Sequence, residues 1–197
     1  MPNADLTTIR GTAYWYCSNP EGWTESCIKM MRNVFGDFIS SHNSGVGSGN
    51  VEATCSEITQ MLISRNATYG PGTYGNIRKV YESDNCVVCA TYVSLVLYKT
   101  GLLTEDQING FNYHFTGDYP AMLKAAGWKQ VSKSDLKPGD VINKPSTVSY
   151  GGGHVVIYVG NNTIWDQNSA TNKTGKGSSA SYYINNPEYI AWRSPNM

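Results

Sequence analysis

Two side chains, Cys89 and His154, have the chemistry of a nucleophile and its base. Cys89 falls in the first turns of a strongly apolar helical segment, where backbone N–H groups and the positive end of the helix dipole stabilise a thiolate. A thiolate nucleophile needs a group that holds and returns a proton near neutral pH, which is the chemistry of histidine. Of the three histidines, His42 lies in a Gly/Ser-rich run and His114 has no clear element around it. His154, which opens a strand directly after three glycines, is therefore the best candidate base.

A third side chain should orient the imidazole, and the geometry of the next hairpin selects it. If a three-residue loop joins the strand that begins at His154 to the following strand, His154 lies opposite Asn168. Asp166 then shares that face within diagonal reach of the imidazole. A loop of two or four residues would instead bring Trp165 and Gln167 to this face. The register of this hairpin therefore decides which side chain is the third member.

The pair Cys86 and Cys89 supports a different interpretation. A Cys-x-x-Cys spacing at a helix start is typical of thiol–disulfide oxidoreductases, in which the first cysteine attacks and the second resolves. That chemistry requires a buried strand before the helix, whereas the upstream segment KVYESDN is a weak strand. It also gives His154 no role. A protein that keeps the fold and binds without catalysis is the other alternative.

Four helices are predicted from the spacing of apolar residues. Three of them cover Glu25–Phe38, Val51–Ser64 and Pro120–Ala126. The fourth carries Cys89, with N-cap candidates at Ser83–Asn85 and with Gly101 where a C-cap belongs. It is apolar nearly all round, which predicts a buried central helix.

Strands dominate the second half of the chain. The segment DLKPGDVI, from Asp135 to Ile142, reads as a Pro-Gly turn that leads into a strand. HVVIYVG and TIWDQNS are β-rich, and SYYI and YIAW in the tail add further strands. Helices followed by an antiparallel sheet predict an α+β fold.

Size and charge limit the possible classes. A chain of 197 residues fits a catalytic domain at 50–197, preceded at 1–49 by an accessory segment and a Gly/Ser linker that could contact a partner chain. Zero net charge gives no electrostatic basis for nucleic-acid binding. No secretory signal and no membrane span are visible. With five cysteines, at least one thiol is unpaired, and neither metal-ligand spacing nor a phosphate-binding loop points to a cofactor.

Three motifs, in this order, resemble the NlpC/P60 cysteine peptidases and their CHAP relatives. CATYVSLVLYKTG is similar to a motif in which a cysteine opens a helix that ends in glycine twelve residues on, as Cys89 and Gly101 do. DLKPGDVI is similar to the Leu-x-Pro-Gly-Asp turn before the histidine strand, and GHVVIYVGNN is similar to the His-Val-x-Ile-Tyr-x-Gly segment. The resemblance covers residues 50–195. The chain departs from the Asp-Cys-Ser-Gly signature, and WDQNS is also similar to the Glu-x-Asn of CHAP domains, which would give Asn168 a role.

The resemblance implies a papain-like domain in which the nucleophile helix packs on an antiparallel sheet. It implies Cys89, His154 and Asp166 as catalytic residues, because the NlpC/P60 pattern has a polar residue twelve positions after the histidine. The implied activity is cleavage of a peptidoglycan amide, by an endopeptidase or an N-acetylmuramoyl-L-alanine amidase that needs no metal or cofactor. Its partner would be the bacterial cell wall, with no membrane insertion. Release by phage lysis, virion delivery or a secretion system would fit a chain with no visible signal.

Overall fold

The computed structural model describes residues 48–70, 75–83, 86–148, 151–168 and 173–197. The predicted helix Glu25–Phe38 lies outside these residues, as do Cys17, Cys27 and most of the predicted linker Ser40–Asn50. The last three residues of that linker begin a helix instead. The predicted boundary between an accessory segment at 1–49 and a catalytic domain at 50–197 stays a prediction.

Helices precede most of the strands along the described chain. The helices are α1 (Ser48–Ser64), α2 (Ile77–Ser83), α3 (Cys89–Lys99), α4 (Glu105–Asn109), α5 (Tyr119–Ala125) and α6 (Ser181–Asn185). The strands are β1 (Thr68–Tyr69), β2 (Cys86–Val87), β3 (Lys129–Val131), β4 (Val141–Lys144), β5 (His154–Gly160), β6 (Thr163–Asn168), β7 (Lys173–Ser179) and β8 (Ile190–Arg193). Of the helices described, none combines the length and the apolar character needed to cross a membrane.

One antiparallel sheet organises the second half of the chain. Its strands lie in the order β3-β8-β4-β5-β6-β7, while β1 and β2 form a separate two-residue parallel pair. Helix α3 packs against β5 and β6, and α1 packs against α3, β5 and β7. The predicted α+β layout, with a central helix on an antiparallel sheet, is confirmed.

The sheet buries apolar side chains on both faces, because successive residues of a strand point to opposite sides. Val155 and Ile157 of β5 join the core that contains α1 and α3. Val156, between them, joins a second cluster with Tyr183 and Tyr189 from the region of α6. His154 has the same parity as Val156 and therefore lies on the α6 side of the sheet.

Helix α3 is the most buried element of the described chain. Every residue from Cys89 to Leu97 is buried, as the all-apolar pattern predicted. The helix ends at Thr100, and Gly101 follows with φ +71°, the left-handed conformation that glycine adopts readily after a helix. The predicted helix end at Gly101 is thus accurate to one residue.

The start of α3 differs from the prediction. The N-cap is Val88, with extended backbone at φ −115° and ψ 169°, and not a residue of Ser83–Asn85. The preceding pair Cys86–Val87 is extended because it forms strand β2 with Thr68–Tyr69. Cys89 is consequently the first helical residue, closer to the positive end of the helix dipole than a helix starting near Asp84 would place it.

The Pro-Gly turn of DLKPGDVI is held by a buried ion pair. Asp140 is fully buried, and its carboxylate accepts hydrogen bonds from Arg193 Nε at 2.9 Å and Nη2 at 2.7 Å. The Lys137 N–H donates to the same carboxylate at 2.7 Å. These contacts tie the turn before β4 to β8, the neighbouring strand in the sheet. The turn motif therefore has a structural role that does not depend on catalysis.

Several local predictions were confirmed and one was wrong. Helix α5 matches the predicted Pro120–Ala126 to within one residue, and YIAW lies in the region of β8. SYYI was predicted as a strand but is part of α6. The chain turns at Ala180, whose carbonyl oxygen accepts hydrogen bonds from the backbone N–H groups of Tyr183 and Ile184. Helix α4 was not predicted, although Thr104 and Gln107 form the capping box that marks its start.

We expect Asp140→Ala to lower the free energy of unfolding by about 3 kcal/mol, because it leaves the Arg193 guanidinium without its buried partner. Urea unfolding measures this change. Glu82→Gln is the matched control, since it breaks the exposed Arg78–Glu82 pair and should leave the unfolding midpoint unchanged. Equal small effects of the two substitutions would contradict a structural role for Asp140.

Candidate functional site

Cys89 occupies the first position of α3 and is 8% exposed. The first-turn N–H groups of an α-helix have no intrahelical acceptor. Among the described residues, no side chain caps this helix start. The N–H groups around Cys89 can therefore stabilise negative charge, either on the sulfur or on an oxygen bound beside it.

Buried hydrogen bonds hold the first turn of α3 in place. The Tyr119 hydroxyl donates to the Ala90 carbonyl at 2.5 Å and shares a hydrogen bond with Ser94 Oγ at 2.6 Å. Burial raises the pKa of Tyr119, so its hydroxyl stays neutral. Thr91 Oγ1 lies 2.8 Å from His114 Nδ1. The turn that carries the nucleophile candidate is thus held by Tyr119, the first residue of α5, and by His114, in the segment between α4 and α5.

His154 is the first residue of β5, directly after a glycine run. A Cβ at Gly153 would overlap the Thr116 hydroxyl and the Ser146 backbone nitrogen. Glycine is therefore needed for the close approach of two backbone segments, a stronger reason than the predicted one of leaving room around the imidazole. The ring that follows is largely buried, with 18% of its side chain exposed.

The His154 imidazole contacts the predicted third residue. Its Nε2 lies 2.8 Å from Asp166 Oδ2, and Asp166 is 2% exposed. Cys89 lies close enough to the same imidazole to raise its pKa. Because Nε2 is occupied by Asp166, Nδ1 is the ring nitrogen left for the thiol. The structure therefore brings the three predicted site residues together in the order Cys89, His154, Asp166.

The hairpin has the register that places Asp166 on the face of His154, but without a three-residue loop. Its turn has two residues, Asn161 and Asn162, with φ of 49° and 55°. A β-bulge between Tyr158 and Gly160 adds one residue on β5. Turn and bulge together give the parity of a three-residue loop.

This parity decides which side chains surround the imidazole. Ile157 pairs with Trp165 and Tyr158 pairs with Ile164, and the same register continued places Asn168 opposite His154. Asp166 lies on the face of Ile164 and Asn168, while Trp165 joins the core on the helix side. Asp166 therefore shares the face of His154 although the turn has two residues, because the bulge offsets the shorter turn.

Two opposing effects set the protonation of His154. Burial lowers the pKa of the imidazole, but hydrogen bonds with Asp166 and Cys89, and the charges of both, raise it more, to about 9. The imidazolium is therefore the form present at neutral pH. A positively charged imidazole between a carboxylate and a thiol is the arrangement that favours a thiolate–imidazolium pair.

His114 belongs to a different environment that sequence reasoning missed. Burial lowers the pKa of His114 to about 3, so its imidazole is neutral at physiological pH. It lies beside Tyr113, with ring centroids 3.8 Å apart, at a cavity of about 390 Å³. The cavity is lined by Gly75, Asn76, Asn109, Phe111, Asn112, Tyr113 and His114. No local pattern around His114 indicated its contact with Thr91, because the two residues lie on separate elements.

The other described cysteines have different surroundings. Cys55 is fully buried, and burial raises its pKa to about 12, so it remains a thiol. Cys86 and Cys89 are both thiols, and the backbone from Cys86 to Val88 is extended. Three extended residues separate the two Cα atoms by roughly 10 Å, whereas a disulfide requires less than about 7 Å.

Comparisons with known proteins assign no role to the residues of the site. A scan against models of protein families finds no matching family, and a search of curated proteins finds no similar sequence. Across the described ranges, no cluster of three His, Cys, Asp or Glu side chains has an arrangement that could hold a metal ion.

We expect Asp166→Asn, which keeps the shape of the side chain and removes its charge, to lower the pKa of His154 from about 9 toward its ordinary value of 6.5. In the wild type, the stability contributed by the imidazolium is fully present below pH 6.5 and is lost as the pH rises through about 9. The variant should lose this contribution at lower pH. NMR titration of the His154 ring, together with unfolding at several pH values, measures both effects.

Asp106→Asn is the matched control, because it removes an exposed carboxylate on α4. It should leave the His154 titration unchanged. An unaltered His154 titration in Asp166→Asn would show that the carboxylate does not set the charge of the imidazole.

Proposed function

We propose that this protein is a cysteine hydrolase in which Cys89 is the nucleophile, His154 the general base and acid, and Asp166 the residue that orients the imidazole. The observation that carries the proposal is the chain of contacts at one helix start. His154 Nε2 lies 2.8 Å from the buried Asp166, and Cys89, at the first position of α3, lies close enough to the same ring to raise its pKa. This is the arrangement of a nucleophile, a base and an orienting group.

The chemistry follows from the protonation of the pair. The Cys89 thiolate attacks an amide carbonyl carbon and forms a C–S bond, while the first-turn N–H groups of α3 stabilise the oxyanion. The imidazolium of His154 gives its proton to the amine nitrogen as the C–N bond breaks, and the amine leaves. Neutral His154 then takes a proton from water, whose oxygen attacks the thioester. The thiolate leaves, and the thiolate–imidazolium pair forms again.

The substrate we propose is an amide of bacterial peptidoglycan, within the stem peptide or between peptide and glycan. Support comes from the resemblance of the three motifs to NlpC/P60 and CHAP domains, together with the fold. A cysteine at the start of a buried helix packed on an antiparallel sheet, with the histidine at the start of β5, the second strand after the PGD turn, is the layout expected of a papain-like domain of this kind. The proposed place of action is the bacterial cell wall, reached by phage lysis, virion delivery or secretion.

The thiol–disulfide oxidoreductase is the weaker alternative. Its two cysteines must approach each other closely enough to bond, and the extended backbone from Cys86 to Val88 opposes this. The segment KVYESDN also lacks the buried strand that such a site requires, because its first residues belong to helix α2. A catalytically silent binding protein would have no use for a buried imidazolium between Cys89 and Asp166.

We expect the wild type to release peptides from purified peptidoglycan and Cys89→Ala to lose this activity by more than about 1,000-fold, because the nucleophile is removed. Release is followed by turbidity and by mass spectrometry of the soluble fragments, whose ends identify the bond. Walls from several bacteria with different cross-links should be compared.

Cys86→Ser is the matched control in this experiment. A hydrolase should tolerate it, whereas an oxidoreductase that attacks through Cys86 should not. Thiol–disulfide exchange with an oxidised peptide, measured in parallel and lost in Cys86→Ser, would favour the redox alternative. Absence of release from every wall tested would reject the peptidoglycan substrate.

A further inference from the structure

Three tyrosines pack together on the α6 side of the sheet. Tyr183 is the centre of this cluster, with ring centroids 5.1 Å from Tyr182 and 5.1 Å from Tyr189, both in edge-to-face geometry. Tyr182 and Tyr189 also contact each other, at 6.3 Å and 69°. Such mutual contacts restrict the orientation of each ring.

The tyrosine cluster, Tyr182, Tyr183 and Tyr189, adjoins the catalytic candidates. The Tyr183 ring stacks on His154 with centroids 6.0 Å apart and planes at 28°. The charge of Cys89 contributes to raising the pKa of Tyr189, after burial and the two other tyrosines, so Tyr189 lies within electrostatic reach of the sulfur. One ring, that of Tyr183, separates Tyr182 from the imidazole.

Exposure distinguishes Tyr182 from its two partners. Tyr183 and Tyr189 are buried, whereas Tyr182 is 62% exposed, more than any other large apolar side chain in the described chain. Solvent-facing aromatic rings are usually free to change rotamer, but this ring is held by two others. The result is a fixed aromatic surface beside the site.

Polar side chains stand next to the tyrosine cluster in the sequence. Ser181, directly before Tyr182, donates through Oγ to Asn162 Oδ1 at 3.2 Å, and Asn162 Nδ2 donates to Ser179 Oγ at 2.5 Å. Glu188, directly before Tyr189, forms an ion pair with Lys144 at 2.7 Å. One exposed aromatic ring with polar neighbours in the chain does not provide the continuous apolar surface that a large apolar ligand would require. It suits a ligand with an apolar face and a polar edge.

We propose that Tyr182 forms a subsite in which its ring stacks on a sugar ring of the substrate. The C–H face of the sugar lies on the tyrosine ring, and the sugar hydroxyls face the polar side chains of Asn162, Ser179 and Ser181. This inference rests on the proposed peptidoglycan hydrolase function. It assigns a preference for substrates that still carry glycan, and so for an amide near the attachment of the peptide to the glycan. Tyr182 would bind substrate, and Tyr183 would position both Tyr182 and the His154 ring.

The test compares two substrates that contain the same amide bonds. One is a soluble disaccharide–peptide fragment of peptidoglycan, and the other is the same stem peptide carrying the lactyl group but no sugar. We expect Tyr182→Leu, which keeps apolar bulk and removes the aromatic face, to lower kcat/KM for the sugar-bearing fragment by about three- to tenfold. Its kcat/KM for the sugar-free peptide should stay unchanged. Tyr182→Phe should retain the wild-type preference.

A binding measurement makes the test independent of turnover. In the inactive Cys89→Ala background, titration calorimetry with the disaccharide–peptide should show weaker binding when Tyr182→Leu is added. The melting temperature of Tyr182→Leu, an exposed position, checks that the variant is folded. Suppose that the wild type cleaves both substrates. If Tyr182→Leu then lowers kcat/KM equally for both, or changes it for neither, the sugar subsite alone is overturned. Failure of the wild type to cleave either substrate would overturn the proposed function and this inference with it.

Discussion

The contact between His154 and Asp166 is the interaction on which the site depends. A carboxylate buried as completely as Asp166 loses its hydration, and in a protein interior that loss costs several kcal/mol unless a cation compensates for it. The imidazolium of His154 is that cation, and the hydrogen bond at 2.8 Å aligns the ring. Because Nε2 contacts Asp166, Nδ1 is the ring nitrogen left for other partners. Charge balance and ring orientation are thus consequences of a single pair.

The rest of the fold supplies the two ends of this arrangement. Cys89 is the first residue of α3 because the preceding pair Cys86–Val87 is extended in β2. Hydrogen bonds with Tyr119 and His114 hold the turn that follows. The buried pair of Asp140 and Arg193 secures the turn before β4, which pairs with β5 and so supports His154. Elements distant in sequence therefore hold the few residues of the candidate site in place.

The buried helix and the antiparallel sheet were predictable, because each depends on local spacing, and the same spacing singled out Cys89 and His154 as candidates. The contact of His154 with Asp166 depended on the register of the hairpin, which the sequence left open between loops of different length. A β-bulge inserts one extra residue and increases the local twist, and the spacing of apolar residues in a short segment does not predict where it forms. His114 contacts Thr91, and Tyr183 contacts His154, across separate elements of the fold. No local sequence pattern therefore predicts these contacts. SYYI failed as a strand because tertiary packing of Tyr183 outweighed the β propensity of its residues.

The bulge in the β5–β6 hairpin also bears on how this chain can change over evolution. The register of this hairpin results from two features, the bulge at Tyr158–Gly160 and the two-residue turn at Asn161–Asn162. Each of them shifts the alignment of the strands by one residue. Losing the bulge alone, or lengthening the turn alone, would move Asp166 to the opposite face and leave His154 beside Trp165 and Gln167. Single-residue insertions and deletions in this hairpin should therefore be accepted only as compensating pairs, so that related chains vary in turn length while keeping an odd number of residues between histidine and acid, as in the eleven between His154 and Asp166.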